Sequence, residues 1–358
     1  MRHIDLGMVP RQDSQAVYHA VAHEMRPGDP PTLITVTPDG PYVCVGYHQH
    51  GSRDVDRAFC EAHDILVGRR LVGGGAVLLD PGQVFWHLVM PRTAEPIERL
   101  YARLLRAPVR AYQDMGIAAE HRPVNDIVVG RRKIGGTGAV TLDQATVLVG
   151  SLMFDFDVAL MARVLRVPSE KFRDKMVASL EEYMTTMRRE LGADIPSRAA
   201  ATALLVRAFS EQLGETVERG RLADAEREEV RRYASLLFDP AFVYQYEGFS
   251  EPGVKIRDGV RLHEGLYKAP GGLIRVIFRV ADGRFDDVAV TGDFFVDPPD
   301  ALSAVAAALV GTSAAAEESL KVLSRALIGV RIPGVTARDI NCALEDGLAR
   351  TPQAAPRA

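Results

Sequence analysis

Short apolar runs rich in β-branched residues, bounded by Gly, Pro or Asp, predict partly buried strands along the first two-thirds of the chain. These runs are residues 33–37, 42–47, 76–79, 84–89, 127–129, 133–134 and 146–156. Elsewhere apolar residues recur every three or four positions, which predicts helices. The helical segments are residues 13–26, 54–62, 98–115, 158–165, 169–175, 180–191, 198–212 and 224–237. We expect Pro108 to kink or interrupt its helix, because proline lacks the N–H that an internal turn uses.

A second pattern begins after a change of composition near residues 240–250. It has predicted strands at 260–266, 273–280 and 286–291 and predicted helices at 300–309 and 314–327. The pair Asp282-Gly283 is a strong hairpin signal. We therefore expect an α+β (α/β) protein with a large domain over residues 1–245, a small α+β accessory domain over 246–349 and a disordered tail over 350–358.

Composition excludes several classes of protein. The 358 residues are 47% hydrophobic and 25% charged, as in ordinary soluble domains, and the net charge of −4 argues against a general nucleic-acid binder. Cys44, Cys60 and Cys342 are too few and too scattered for a disulfide framework or a cysteine zinc site. The N-terminus lacks a signal-peptide core, and no apolar run approaches the ~18 residues of a membrane span. We expect a soluble protein of the cytoplasm.

Two glycine-rich segments are candidates for chemistry. The first, residues 69–80, has the sequence RRLVGGGAVLLD, and the second, residues 125–138, has the sequence NDIVVGRRKIGGTG. A run of glycines lets backbone amides approach an anion, and neighbouring arginines or lysine supply positive charge. For a lone glycine triplet the alternative is a tight turn between strands. Two such segments in one chain suit a single anionic ligand.

Lys133 is the first candidate for a chemical role. We expect it between a strand and a glycine loop at residues 135–138, where an ammonium group can hold a carboxylate beside an α-phosphate. Its alternative is a solvated charge at the end of a strand. Of Arg69 and Arg70, one could be an ordinary salt-bridge partner and the other a bidentate clamp for an anion.

Other polar residues have weaker signals. Asn125 and Asp126 could bind an adenine or a ribose, or Asp126 could help to place a magnesium ion; their alternative is an Asx turn. We interpret His87 as a core histidine rather than a base. The phosphate-binding loop Gly-x-x-x-x-Gly-Lys-Ser/Thr, the zinc motif His-Glu-x-x-His and the nucleophile elbow Gly-x-Ser-x-Gly are all missing from the sequence.

At these residues the chain resembles the lipoate–protein ligases. Residues 69–80 look like the family's arginine–triple-glycine signature, and residues 125–136 look like its Asn-Asp…Gly-x-Lys-Ile-x-Gly element. Residues 46–60 match the family's entry region, and residues 271–276 and 292–295 are similar to its accessory domain. The resemblance covers about 30–311 and implies a biotin/lipoate-ligase-like catalytic domain with a large mixed sheet, followed by the small accessory domain.

The resemblance implies a reaction in two steps. Lipoate and Mg-ATP first give bound lipoyl-AMP and pyrophosphate, and a lysine ε-amine of an acceptor protein then attacks the mixed anhydride. The implied acceptor is the lipoyl domain of an E2 subunit, a glycine-cleavage H protein or an H-like lipoate-binding protein. The implied enzyme is a monomer that uses ATP, Mg²⁺ and lipoate, with no metal ligands assigned.

By position, the resemblance also implies residue roles. Lys133 would bridge the lipoyl carbonyl and the adenylate phosphate, and Arg70 would hold the lipoate carboxyl end or the phosphates. The other lipoate contacts would be Val72, Gly74, Gly75, Ala76, Gly136 and Val149. The other nucleotide contacts would be Val77, Leu78, Leu79, Asn125 and Asp126. Leu79 and Val149 stand where family members often have a histidine, which makes the pocket more apolar.

Two alternatives to the ligase remain open. An octanoyltransferase of the same fold would need a thiol of lowered pKa near Lys133, and none of the three cysteines is near it in sequence. A non-catalytic lipoyl-binding relative is the other alternative, and a dispensable Lys133 would favour it. A biotin ligase would show a Gly-Arg-Gly-Arg-type loop, which is missing.

Overall fold

The computed structural model describes residues 1–166, 170–247, 255–257 and 260–350. The predicted disordered tail beyond Arg350 lies outside the described residues, as do residues 248–254 near the predicted change of composition. The chain divides into two compact units, which we describe separately. The first unit comprises Met1–Cys44, Val55–Arg69 and Val77–Phe242, and the second comprises Val45–Asp54, Arg70–Ala76 and Val243–Ala358. Among the described residues, no helix has both the length and the apolar character needed to cross a membrane.

Strands and helices occur in groups along the chain. The strands in the described residues are β1 (Arg2–Val9), β2 (Thr32–Pro38), β3 (Tyr42–Val45), β4 (Leu66–Arg69), β5 (Val77–Leu79), β6 (Gln83–Pro91), β7 (Ala119–Arg122), β8 (Asp126–Val129), β9 (Arg132–Leu142), β10 (Ala145–Met153), β11 (Glu218–Arg219), β12 (Lys255–Arg257), β13 (Val260–Ala269), β14 (Gly272–Ala281) and β15 (Arg284–Gly292). The helices are α1 (Arg11–Glu24), α2 (Gly51–Asp54), α3 (Arg57–Ala62), α4 (Ile97–Leu104), α5 (Arg106–Asp114), α6 (Val158–Val164), α7 (Glu170–Tyr183), α8 (Met187–Leu191), α9 (Arg198–Leu213), α10 (Asp224–Leu237), α11 (Pro240–Val243), α12 (Ala301–Leu309), α13 (Ala316–Ala326) and α14 (Ala337–Arg350).

A large mixed sheet forms the centre of the first unit. Its strand order is β11-β1-β2-β6-β10-β9-β8-β7. Strand β1 is parallel to β2 and β11, whereas the pairs from β2 to β7 are antiparallel. A smaller sheet has the order β4-β3-β5. The predicted fold class, a mixed α/β protein with a large mixed sheet, is confirmed.

One face of the large sheet packs against helices α4, α5 and α9 to form the main core. Trp86 of β6 is fully buried in this cluster together with Leu88, Leu148 and Phe209. The indole of Trp86 lies over Gly150 of β10, where an added Cβ would be 2.3 Å from the ring. Because interiors are close-packed, any larger side chain at position 150 would displace the tryptophan.

Three local features differ from the prediction. Strand β1 was not predicted, and a register shift beside Gly7 (φ +60°) breaks its alternation. The segment 98–115 forms α4 and α5, which separate at Leu105; Pro108 lies in the first turn of α5, where a missing N–H costs little. The predicted glycine loop at 135–138 is wrong, because these residues continue strand β9 and pair with both of its neighbours.

The second unit contains an antiparallel sheet with the strand order β12-β13-β14-β15. The predicted hairpin between β14 and β15 is confirmed, with positive φ at Asp282 (49°) and Gly283 (75°), as primed hairpin turns require. Helix α14 was not predicted. It crosses β13 so closely that a Cβ at Gly265 would lie 1.8 Å from the carbonyl oxygen of Ala343, so glycine is needed there for the helix to pack.

Candidate functional site

Lys133 lies in strand β9 next to a β-bulge. Ile127 pairs with Gly135 and Val128 pairs with Lys133, so β9 carries one extra residue, Ile134, relative to β8. A bulge bends a strand and re-aims its side chains. Ile134 is completely buried in the main core, whereas Lys133 keeps 27% of its side chain exposed. The bulge therefore anchors the strand and leaves the ammonium group accessible.

The ammonium group of Lys133 pairs with Asp126 on the adjacent strand β8. Lys133 Nζ is 2.6 Å from Asp126 Oδ1. The second oxygen of Asp126 accepts hydrogen bonds from Arg122 Nη2 at 2.7 Å and from the hydroxyl of Tyr183 at 3.3 Å. Burial raises the pKa of the Asp126 carboxyl, but the ammonium of Lys133 and the guanidinium of Arg122 outweigh burial and hold the pKa below its ordinary value. Asp126 is therefore an ionised carboxylate that pairs with two cations, Lys133 and Arg122.

Gly136 lies next to the end of the Lys133 side chain. It pairs with Asp126 across the strands, and a Cβ at position 136 would be 3.2 Å from both Cε and Nζ of Lys133. The absence of a side chain thus gives the ammonium group its place beside Asp126. Asn125 forms two hydrogen bonds with Thr137, the residue of β9 that follows Gly136. Asn125 Nδ2 donates to the carbonyl of Thr137, and Thr137 Oγ1 donates to the carbonyl of Asn125 at 2.6 Å.

The segment that follows α7 fixes the main chain of Lys133. The amide of Thr185 donates to the carbonyl of Lys133 at 2.9 Å, and Met184 forms a parallel bridge with the same residue. Thr185 Oγ1 also donates to Glu190, which is 2.8 Å from Arg132 Nη2. Lys133 is thus held through its own strand and through a segment about fifty residues further along the chain.

Sequence reasoning predicted Lys133, Asp126, Asn125 and Gly136, and the structure brings these four together. It missed Arg122 and Tyr183. Arg122 had a usable signal, since it precedes Asp126 by four residues across a short hairpin between β7 and β8. Tyr183 is 57 residues away from Asp126, so no local pattern connects the two.

Val149 lies in the middle of the large sheet. It pairs with Gly138 of β9 on one side and with His87 of β6 on the other. Its side chain is half-buried. His87 is 3% exposed and contacts the ring of Tyr18 at 4.8 Å between centroids. Burial lowers the pKa of His87 to about 3, so it is a neutral core histidine, as predicted.

The predicted nucleotide contacts Val77, Leu78 and Leu79 form strand β5. They pair with Cys44, Val43 and Tyr42 of β3, respectively. Since side chains alternate along a strand, Leu78 points away from the other two, and it is 1% exposed while they are half-buried. Among the three side chains, those of Val77 and Leu79 are therefore the two that share a partly exposed face.

The two arginines before the glycine triplet have different roles. Arg69 belongs to the first unit, is completely buried and donates through Nε to the carbonyl of Phe242 at 3.0 Å. Arg70 belongs to the second unit, where its Nη2 donates to the carbonyls of Gly73 at 2.9 Å and Gly75 at 2.8 Å. The side chain of Arg69 thus stabilises the first unit, and the guanidinium group of Arg70 holds the glycine loop in shape through hydrogen bonds to two of its carbonyls.

The glycine triplet packs against the end of β15. The amide of Gly74 donates to the carbonyl of Phe294 at 3.2 Å. A Cβ at Gly73 would lie 2.6 Å from that same carbonyl oxygen, and Gly74 has a φ of +96°. Gly75 is open, since its nearest neighbour would be Asp293 Cβ at 3.8 Å. The first two glycines are therefore required by close approach and backbone conformation, and the third is not.

Carboxylates, histidines and cysteines are the other side chains that could hold a metal ion or act as a nucleophile. The described residues contain no group of three or more His, Cys, Asp or Glu side chains that could hold a metal ion. Asp126, the one carboxylate we considered for magnesium, already has Lys133 and Arg122 on its two oxygens. Cys44 is buried, and burial, with Asp56 and Glu61 nearby, raises the pKa of Cys60 to about 11. Cys60 therefore lacks the lowered pKa of a nucleophile, and Cys44 is shielded by burial.

Known proteins similar to this chain include ligases and a transferase. Residues 11–210 match the family described as the lipoyl protein ligase A/B catalytic domain. Lipoate–protein ligase 1 of Staphylococcus aureus is 25% identical over 256 residues, which are 71% of this chain and 74% of the relative. Octanoyltransferase LipM of Kyrpidia tusciae is 29% identical over 226 residues, covering 56% of this chain and 81% of the relative.

Solved structures of similar fold support the same architecture. A bipartite lipoate protein ligase from Thermoplasma acidophilum, described with its E2 lipoyl domain, has a TM-score of 0.64 at 24% identity and covers 70% of this chain and 98% of its own. A lipoate-protein ligase A bound with ATP has a TM-score of 0.59 at 22% identity, with coverages of 68% and 98%. At these identities, the likeness establishes the fold.

Proposed function

Because the chain belongs to the lipoyl protein ligase A/B catalytic-domain family, we propose that it is an ATP-dependent lipoate–protein ligase. The observation that carries the proposal is the accessible Lys133 ammonium, 2.6 Å from a carboxylate whose other oxygen already has Arg122. Such a lysine can move to an incoming anion without leaving its partner unneutralised. In the same proposal the enzyme acts as a monomer in the cytosol, where its cysteines stay reduced.

In the first step, a lipoate carboxylate oxygen attacks the α-phosphorus of ATP. The new P–O bond replaces the bond to the β-phosphate bridging oxygen, so pyrophosphate leaves and lipoyl-AMP forms. Negative charge accumulates on the α-phosphate oxygens, and a fixed cation placed there stabilises the transition state more than the ground state. Lys133 supplies that cation and bridges the lipoyl carbonyl and the phosphate.

In the second step, the ε-amine of an acceptor lysine attacks the lipoyl carbonyl. An amide C–N bond forms, the acyl–phosphate C–O bond breaks, AMP leaves and the amine loses a proton. The acceptor is a lipoyl domain of an E2 subunit or an H-protein-like lipoate-binding protein. Lys133 again neutralises the leaving phosphate, and holding the adenylate in place supplies much of the rate because the attack becomes nearly intramolecular.

The remaining predicted contacts are part of the proposal. The lipoate contacts that we propose are Arg70, Val72, Gly74, Gly75, Ala76, Gly136 and Val149. Beside the nucleotide we place the side chains of Val77 and Leu79, the backbone of Leu78, and the residues Asn125 and Asp126. The catalytic domain extends over residues 1–245 and the accessory domain over 246–349. Magnesium accompanies ATP as part of the substrate, and the protein's own residues carry each step described above.

An octanoyltransferase is the second candidate, because LipM is among the relatives. That reaction transfers an acyl group through a cysteine thiolate. Burial of Cys44 and the raised pKa of Cys60 argue against it for this chain.

The decisive experiment measures pyrophosphate release from ATP by the purified protein, with and without lipoate and with no acceptor present. We expect release only when lipoate is present. Lack of release, together with acyl transfer from an octanoyl carrier protein, would instead identify a thiol transferase. Lack of activity in both assays would favour a non-catalytic lipoyl-binding protein.

A further inference from the structure

Asp126 divides its two oxygens between two cations. Oδ1 is 2.6 Å from Lys133 Nζ, and Oδ2 is 2.7 Å from Arg122 Nη2. Arg122 is itself fixed by Tyr183: it donates to the tyrosine hydroxyl at 2.6 Å, and its guanidinium carbon lies 5.4 Å from the ring centroid. Arg122 can therefore stay on Asp126 whether or not Lys133 does.

We propose that Arg122 and Tyr183 are positioning residues that allow Lys133 to leave Asp126 for the phosphate of the nucleotide. The proposal rests on the ligase function proposed above. With Arg122 in place, Asp126 remains paired when Lys133 turns to the phosphate. Without Arg122, the same movement would leave a half-buried carboxylate unpaired next to a second anion, which is costly. Lys133 would then stay on Asp126.

Backbone contacts of Lys133 are consistent with this change of side-chain partner. Tyr183 ends helix α7. Met184, which follows it, is the partner of Lys133 in a parallel bridge, and the amide of Thr185 donates to the carbonyl of Lys133. The same short segment thus places the hydroxyl next to Oδ2 and holds the strand that carries the lysine. Lys133 can change its side-chain partner while its backbone stays fixed, which is the arrangement needed for a cation that serves both a resting pair and a transition state.

The test is a double-mutant cycle on pyrophosphate release. Arg122→Gln should lower the rate of lipoate-dependent release by roughly tenfold or more, since it impairs one charge contact in the transition state. Arg131→Gln is the matched control, because it removes the same charge from the exposed turn between β8 and β9, and we expect less than about a twofold change, as for a surface position. Arg122→Lys, which keeps the charge, should restore most of the rate.

The cycle is completed in the Asp126→Asn background. There, no carboxylate charge needs compensation, so Arg122→Gln should change the rate by less than about twofold, and the two substitutions should be strongly non-additive. Tyr183→Phe, which removes only the hydroxyl, should have a smaller effect than Arg122→Gln in the wild-type background and none in the Asp126→Asn background. Thermal unfolding of each variant shows whether the fold is retained.

The outcomes separate the two proposals. Wild-type protein that releases no pyrophosphate with lipoate overturns the proposed function and this inference with it. An active wild type in which Arg122→Gln behaves like Arg131→Gln overturns the positioning role alone. An undiminished effect of Arg122→Gln in the Asp126→Asn background also overturns it, because Arg122 would then act on the ligand or the fold directly. If Arg122→Gln does not fold, Tyr183→Phe and Arg122→Lys carry the same test.

Discussion

Two glycine-rich segments of this chain look alike in sequence and differ in structure. The glycines around position 136 belong to strand β9 of the first unit, where one of them makes room for the side chain of Lys133. The triplet at residues 73–75 is a loop of the second unit, where two glycines fit closely against Phe294 and Phe295. In the strand the glycines leave space for a side chain, and in the loop they allow backbone to meet backbone.

The difference shows that a run of glycines is not by itself evidence for a phosphate-binding loop. In the triplet, the carbonyls of Gly73 and Gly75 accept hydrogen bonds from Arg70, and the amide of Gly74 donates to Phe294. In the strand, the charge comes from a side chain, Lys133, and not from backbone amides. The two segments should therefore respond differently to substitution, and the following predictions test that difference.

The largest effect is expected at Lys133. Lys133→Ala should lower lipoate-dependent pyrophosphate release by about 10²- to 10³-fold or more, the cost of removing one preorganised donor from a transition state. The side chain is 27% exposed and fills no core, so thermal unfolding should be unchanged. Normal turnover in this variant would contradict the assignment of Lys133 as the catalytic residue.

Acid should weaken the first unit more than the second. Burial lowers the pKa of both His19 and His87 to about 3. Below pH 6.5 these histidines bind protons in the unfolded chain but stay neutral in the folded unit. Their contribution to the free energy of unfolding is therefore fully present above pH 6.5 and is lost as the pH falls toward 3. The loss is up to about 1.4 kcal/mol per pH unit for each histidine. In the second unit, burial raises the pKa of Asp54, which favours the folded state as the pH falls. The lowered pKa values of Glu317 and Asp346 act in the other direction, but only near and below the ordinary carboxyl range of about pH 4.

Hydrogen exchange at pH 7 and pH 4.5, corrected for intrinsic rates, measures this contrast. We expect amides of β6 and β10 to lose protection while those of β13 and β14 keep it. His87→Gln, which stays neutral, should flatten the pH dependence of unfolding by urea. A pH dependence unchanged by His87→Gln would mean that other groups cause the acid sensitivity.

Much of this architecture was predictable from local pattern. Strands β2, β6, β8 and β10 of the large sheet, helices α9 and α10 and the hairpin at Asp282-Gly283 follow from apolar spacing and turn residues alone, whereas β1, β7, β11 and most of β9 were not predicted. Lys133 and Asp126 followed from the signature that contains them. Local rules failed where a distant partner decides the outcome, because neither Trp86, which requires Gly150, nor Tyr183, which reaches Asp126, lies near its partner in sequence.

Substitutions in the glycine triplet should have smaller effects than Lys133→Ala, and the effects should differ among the three positions. Gly73→Ala brings a methyl group within 2.6 Å of a backbone oxygen, and Gly74→Ala places a side chain at φ +96°. Strain of about 1–3 kcal/mol at such a position should distort the loop, so we expect lipoate affinity to fall about tenfold or more. Gly75→Ala meets only ordinary contacts within the protein, so it adds no strain to the loop, and any loss of affinity there reports the proposed contact with lipoate instead. Calorimetric titration with lipoate would show the difference, and three equal effects would refute it.

The smallest effect, and the sharpest comparison, is expected between neighbouring glycines of β9. A methyl group at Gly136 would lie 3.2 Å from Cε and Nζ of Lys133, and this flexible end can yield by a few tenths of an ångström. Misplacement of a reacting group by about 1 Å can cost about 10²-fold, so Gly136→Ala should slow pyrophosphate release roughly three- to tenfold without changing stability. Gly135→Ala meets its nearest atom, the carbonyl oxygen of Ser151, at 3.5 Å and should leave the rate unchanged. If Gly135→Ala slowed release as much as Gly136→Ala, the glycines of β9 would matter for the strand itself and not for the lysine above it.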